Sequence, residues 1–141
     1  VVLVHGGGPE INTFLKKLEI DGNYNLDVKA IGKLSKLEDL EIISRDTAPN
    51  LAEIAKLENV KSLMLHSMGK EDLSFIGEMK SLEALSLYYV DSSFEKSIGE
   101  LTDLRSLALM DIEESYNTEF LEKLDKLEDV TLMGNYVDLQ Q

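Results

Sequence analysis

Six segments of this chain space their apolar residues in one way, at steps of three, three and two. Leu101, Leu104, Leu107 and Leu109 follow it, as do Met79, Leu82, Leu85 and Leu87. So do Leu57, Val60, Leu63 and Leu65, then Leu34, Leu37, Leu40 and Ile42, then Leu124, Leu127, Val130 and Leu132. The first copy is incomplete: Leu15, Leu18, Ile20. The last apolar residues fall at 20, 42, 65, 87, 109 and 132, so the period is 22 or 23 residues throughout. Self-similarity at such a period constrains the fold more than any local propensity does. One unit cannot bury its own leucines, whereas stacked units bury a continuous core. The final apolar pair of each copy, separated by a single residue, reads as a strand with one face inward. The expected fold is therefore an α/β solenoid: a parallel sheet on the concave side, with helical or 3₁₀ segments returning along the convex side.

No linker interrupts the repeats, and 141 residues suffice for one domain. The expected organisation is a single domain over 1–141, with a cap-like segment at 1–14, about six repeats over 15–135 and a C-terminal end at 136–141. Val1 to Val4 reads as a short strand. Ile11, Phe14, Leu15 and Leu18 also suit one helical face, which competes with the repeat over Lys16 to Ile20. The repeat is preferred there because five later copies share it. Between strands, Asn50 is positioned to cap a helical turn at Leu51–Ile54. Asp72 or Ser74 opens the next returning segment, Ser92 or Ser93 the one after, and Phe120 and Leu121 point inward in the last.

Composition excludes several classes. Hydrophobic residues make up 43% of the chain, and their periodic placement marks them for burial rather than for a disordered acidic tail. The formal charge of −13 repels phosphate backbones and anionic lipid, so neither nucleic acid nor a membrane surface is an expected partner. No apolar run is long enough to span a bilayer. With no cysteine and no visible signal segment, a cytoplasmic protein is the expectation.

The spacing Leu-x-x-Leu-x-x-Leu-x-Leu resembles the leucine-rich repeat family over residues 15–141. That family places asparagine three residues after the strand leucine, where its amide satisfies the turn backbone. Asn23 and Asn135 match; Arg45, Met68, Val90 and Ile112 stand at the other four positions, so the asparagine ladder is broken. The resemblance implies a concave surface that binds protein, with no shared catalytic chemistry. The period is also similar to that of family members with helical convex backs.

A second likeness covers about 20 residues at the start. Val2-Leu-Val-His5-Gly6-Gly7-Gly8-Pro9-Glu-Ile11-Asn12 resembles the glycine-rich loop of acetylglutamate kinase and related amino-acid kinases. In that family the backbone N–H groups of the loop cradle a phosphate or acyl substrate, the geometry that glycines and a helix start favour. Gly6, Gly7 and Gly8 would form such an anion-binding loop. The family's upstream lysine has no counterpart, and repeats stand where its nucleotide-binding sheet would follow. A vestigial anion- or acyl-amino-acid-binding loop is thus the lesser alternative to a cap.

No other enzymatic constellation emerges. His5 and His66 lie 61 residues apart with no cysteine between them, so no metal site is expected. Ser67 and Ser115 lack a base and an orienting acid at motif spacing, and no catalytic residue or cofactor is assigned. The informative signal is a pair of columns. Residues flanked by inward leucines point out of the concave face. The first column holds Glu19, Glu41, Met64, Ser86, Ala108 and Thr131; the second holds Asp21, Ile43, His66, Tyr88, Met110 and Met133, with Tyr89 beside it. A solvated face should be polar, and large apolar residues in a row suggest an interface. The expected site is Ile43, His66, Tyr88, Tyr89, Met110 and Met133, with Glu19, Asp21 and Glu41 forming an acidic end for a partner that is basic there. The competing reading is a structural repeat whose row covers a loop or a second copy of the chain in a homo-oligomer.

Overall fold

The computed structural model describes residues 14–22 and 27–134 in full, and the backbone of residues 2–4 and 137–138. The repeat spacing becomes a seven-stranded parallel sheet in simple chain order. Its strands are β1 (Val2–Val4), β2 (Lys17–Asp21), β3 (Asp39–Ile43), β4 (Ser62–Gly69), β5 (Ala84–Val90), β6 (Ser106–Met110) and β8 (Asp129–Met133). A second, two-stranded sheet pairs β7 (Tyr116–Asn117) with β9 (Val137–Asp138). The competition at Lys16–Ile20 is resolved for the strand. The expected strand near the start extends the sheet, Val2 pairing with Leu18 and Val4 with Ile20.

From β2 onward, each connection within the main sheet returns through 3₁₀ turns, such as Leu51–Lys56, Ser74–Glu78, Ile98–Glu100 and Glu119–Lys123. A 3₁₀ turn suits a short convex return because it climbs faster per residue than an α-helix. No α-helix occurs among the described residues. Nor, among them, is any helix long and apolar enough to cross a membrane.

At Gly77 successive 3₁₀ turns pack closely enough that a side chain is excluded. A Cβ on Gly77 would lie 2.8 Å from both the Ser97 carbonyl oxygen and its Cβ. Neighbouring turns meet there, and glycine lets them approach.

The inward residues form one continuous core. Leu18, Leu40, Leu63, Leu85 and Leu107, one from each of five successive strands, are at most 1% exposed. Ile42, Leu65, Leu87 and Leu109 are wholly buried behind them. Val28, Ile31, Ile54, Ile76, Ile98 and Phe120 close the core from the convex side.

Several expectations require correction. Near-complete burial does not extend to the terminal copies: Leu15, Leu127 and Leu132 are half-buried and Val130 is 44% exposed. These residues belong to the first and last units, and β8 ends the main sheet, so Val130 and Leu132 lack the further strand that covers their interior equivalents. Asn50 does not cap its turn. It sits in the left-handed region at φ 64°, and its amide donates instead to the Asp27 carboxylate at 3.0 Å. The turn at Ser92–Phe94 is capped by Asp91, whose carboxylate accepts from the Ser93 N–H at 2.9 Å, rather than by either serine. Asp72 accepts from Ser74 N–H in the same manner, and Phe120 is buried as expected while Leu121 is half-buried. The glycine loop Gly6–Gly8, His5, Pro9, Asn23, Asn135, Tyr136 and Leu139 lie outside the described residues.

Candidate protein-binding face

Alternation along each interior strand sends every second side chain away from the leucine core. In β2, β3 and β6 the pattern is half-buried, buried, half-buried, buried, half-buried. The strands pair without a register slip across these residues, so the outward positions line up. Asp21 pairs with Ile43, Ile43 with His66, His66 with Tyr88, Tyr88 with Met110 and Met110 with Met133. The second column is thus a row across six strands, each member on the strand next to its neighbour's. The first column is likewise in register from Glu19 through Glu41, Met64, Ser86 and Ala108 to Thr131. Ile43, His66, Tyr88 and Met110 are half-buried, while Met133 is 58% exposed at the end.

The chain then turns sharply beneath this row. Ser67, Tyr89 and Asp111, each one residue past it, adopt left-handed backbone at φ 57°, 48° and 50°. Such φ values are uncommon for residues with a Cβ and rarer still for bulky ones. Their consequence is visible one residue on: Met68, Val90 and Ile112, at the family's asparagine position, turn inward and are at most 4% exposed. An apolar column therefore seals the core where an amide ladder would otherwise satisfy the turn. After β3 the left-handed residue is instead Arg45 (φ 69°), one position later. There the preceding Ser44 is buried, and its hydroxyl donates to the Thr47 carbonyl at 2.7 Å.

The turn also presents Tyr89 outward, at 48% exposure. Its ring meets His66 edge-on at 5.5 Å, while the Tyr88 ring stacks on the same histidine at 5.4 Å. The Ser67 hydroxyl lies 2.8 Å from His66 Nδ1. Residues from two strands thus build one three-ring cluster at the centre of the row.

The acidic end is more nearly neutral than the sequence implies. Lys17 contacts Glu19 at 3.1 Å and Asp39 at 3.4 Å, and the hydrogen bond to Glu19 is the chief reason its ammonium titrates above the ordinary lysine value. Arg45 donates to Asp21 at 2.8 Å. Glu41 stands between Glu19 and Met64 with no ion pair among the described residues. Of the three expected acidic residues, it is the one left open to a cation from outside.

Beside the aromatic cluster lies an open groove lined by Arg45, Asp46, Ser67, Gly69, Tyr89 and Glu113. Only Tyr89 among these was expected at a site. The one sequence signal for the rest is Gly69, since a glycine inside a strand often marks a bulge or a close backbone approach. Both occur: β4 slips register between His66 and Gly69, and a Cβ on Gly69 would lie 2.5 Å from the Asp46 carbonyl oxygen.

Two solved structures share this architecture. An internalin (InlF) from Listeria monocytogenes matches with a TM-score of 0.65 and 25% identity, over 84% of this chain. Internalin C2 from the same species matches with a TM-score of 0.60 and 21% identity, again over 84% of this chain. The fold is leucine-rich-repeat-like. This chain spans 35% of the length of the first structure and 61% of the second. No protein-family model matches the sequence, and no curated protein matches it. Neither match supports the amino-acid-kinase resemblance of the glycine loop.

Proposed function

We propose that this chain is a non-catalytic protein-interaction module that reads its partner across Ile43, His66, Tyr88, Tyr89, Met110 and Met133. The observation that carries the reading is the in-register row itself. Five apolar or aromatic side chains occupy consecutive strands of a solvent-facing sheet, where solvation alone would favour polar residues. The strands beneath are locked by fully buried leucines, so the row is held in place before a partner arrives. That limits the entropy cost of association. Tyrosine and methionine supply large contact area with polar or adaptable edges. Glu41, and Glu19 and Asp21 once their exposed pairs yield, favour lysine or arginine on the partner at the β2–β3 end.

The test compares wild type with Tyr88→Glu and Met110→Glu in affinity capture from native lysate. Both substitutions fall on half-buried positions outside the leucine core, so circular dichroism should stay near wild type, and the urea midpoint of Tyr88→Glu should fall only by what the lost His66 stack contributes. Loss of the same captured protein by both variants is the expected result. Retention of every partner, or loss only of self-association in light scattering, overturns the heterologous-binding reading and favours the structural one.

A further inference from the structure

The proposed face leaves open which chemistry at its centre would select a partner. Four features converge at one end of β3–β5: the bulge in β4, the left-handed Tyr89, the Gly69–Asp46 close approach and the groove that Tyr89 lines. Bulges commonly re-aim side chains beside functional sites. Here the result is an exposed phenol ring held against His66 and bordering a groove that also carries two carboxylates, Asp46 and Glu113. An aromatic face attracts a cation, and carboxylates beside it accept the cation's N–H donors.

We propose that this groove anchors an arginine or lysine side chain of a protein partner, over the Tyr89 ring and between Asp46 and Glu113. The inference rests on the protein-binding reading above and names the chemistry of its anchor. Charge complementarity supports a cationic occupant: the chain carries −13 overall, and Asp46 has no ion pair among the described residues. The resident cations are already engaged. Arg45 is held by Asp21 at 2.8 Å, and Lys70 reaches Glu113 at 3.5 Å and Glu114 at 3.7 Å. The Lys70 side chain is 74% exposed, so its pairs are weak and yield readily to a better-placed donor. Lys70 then acts as a resident competitor for the groove, a role that a purely apolar interface would not give it.

The probes are Nα-acetyl-arginine amide and its neutral isostere Nα-acetyl-citrulline amide, titrated into the full chain and followed by NMR. Arginine should shift the Ser67, Gly69 and Tyr89 resonances saturably in the millimolar range, with ring-current shifts on its own δ protons, and citrulline should not. Tyr89→Leu, which keeps apolar area but removes the π face, should weaken arginine binding about two- to fivefold. Glu113→Gln should weaken it as well, and Lys70→Gln should strengthen it. Equal response to citrulline, shifts spread evenly over remote carboxylates such as Glu58 and Glu122, or no gain in Lys70→Gln would overturn the anchor. Partner capture separates this from the broader reading. If Met110→Glu loses the partner while Tyr89→Leu and Glu113→Gln both keep it, the face stands and the cation anchor is wrong. If none of the three loses it, the face itself is wrong.

Discussion

The imidazole of His66 and the phenol ring of Tyr88, neighbours across β4 and β5, lie with centroids 5.4 Å apart and planes 25° from parallel. Stacking at this separation contributes beyond simple area burial. A double-mutant cycle of His66→Ala and Tyr88→Ala in urea denaturation should return a coupling of about 0.5–1 kcal/mol, the lower part of the aromatic range, because both rings are half-exposed. Additive effects of the two substitutions would mean that the stack contributes nothing to folding.

Position in the stack should decide the cost of losing an inward side chain. Leu85→Ala and Leu107→Ala remove residues that are 1% exposed between covered strands, and each should cost about 2–5 kcal/mol through lost contact and a cavity. Val130 occupies the equivalent place in β8 but is 44% exposed. Val130→Ala should cost less than about 1 kcal/mol. Urea midpoints in which the three variants lose stability equally would contradict the uncovered terminal strand.

The convex side yields a contrast between two glycines. An added methyl on Gly77 meets the Ser97 backbone carbonyl and Cβ at 2.8 Å, neither of which can swing away. Gly77→Ala should therefore destabilise by about 1–3 kcal/mol. On Gly99 the nearest atom is the Lys123 Cδ at 3.0 Å, part of a flexible chain that can move. Gly99→Ala should stay within about 1 kcal/mol of wild type. Thermal or urea unfolding of the two variants side by side decides whether adjacent 3₁₀ turns set this limit.

Acid should weaken the fold in a definite window. Asp27, Asp72 and Asp103 all titrate below the ordinary carboxylate value of 3.8: Asp27 chiefly through the Lys29 backbone N–H and then the Asn50 amide, Asp72 through the Ser74 N–H, and Asp103 through the Lys126 ammonium. A carboxylate whose folded value lies below its unfolded one adds stability that is complete above the unfolded value and is lost as pH falls through the folded one. The urea midpoint should thus hold down to about pH 4 and decline below it. Asp72→Asn should flatten part of that decline. Lys17 has the opposite sign: its raised value adds stability below the ordinary lysine value of 10.5 that disappears as pH rises through the folded value. A midpoint that rises on acidification below pH 4, or an Asp72→Asn profile identical to wild type, would contradict these assignments.

The sequence by itself determined the period, the inward faces and the contents of the outward columns. Leucine spacing carries that information locally: in an extended strand, burying Leu85 and Leu87 fixes the direction of Ser86 and Tyr88 whatever lies elsewhere in the chain. Even the competition at Lys16–Ile20 was settled by spacing. What only the tertiary structure decided lies between repeats, where partners sit a full period or more apart and no local pattern encodes their distance. Arg45 meets Asp21 across 24 residues, which changes the charge of the expected acidic end. Asn50 abandons its own turn for Asp27, 23 residues away. Met68, Val90 and Ile112 break the family's asparagine pattern in the sequence, but only the stacked turns bring them inward, through left-handed residues that no propensity favours. The groove at Tyr89 has the same origin. Asp46, Gly69, Tyr89 and Glu113 belong to four successive units, and the stacking of those four repeats is what brings them to one place.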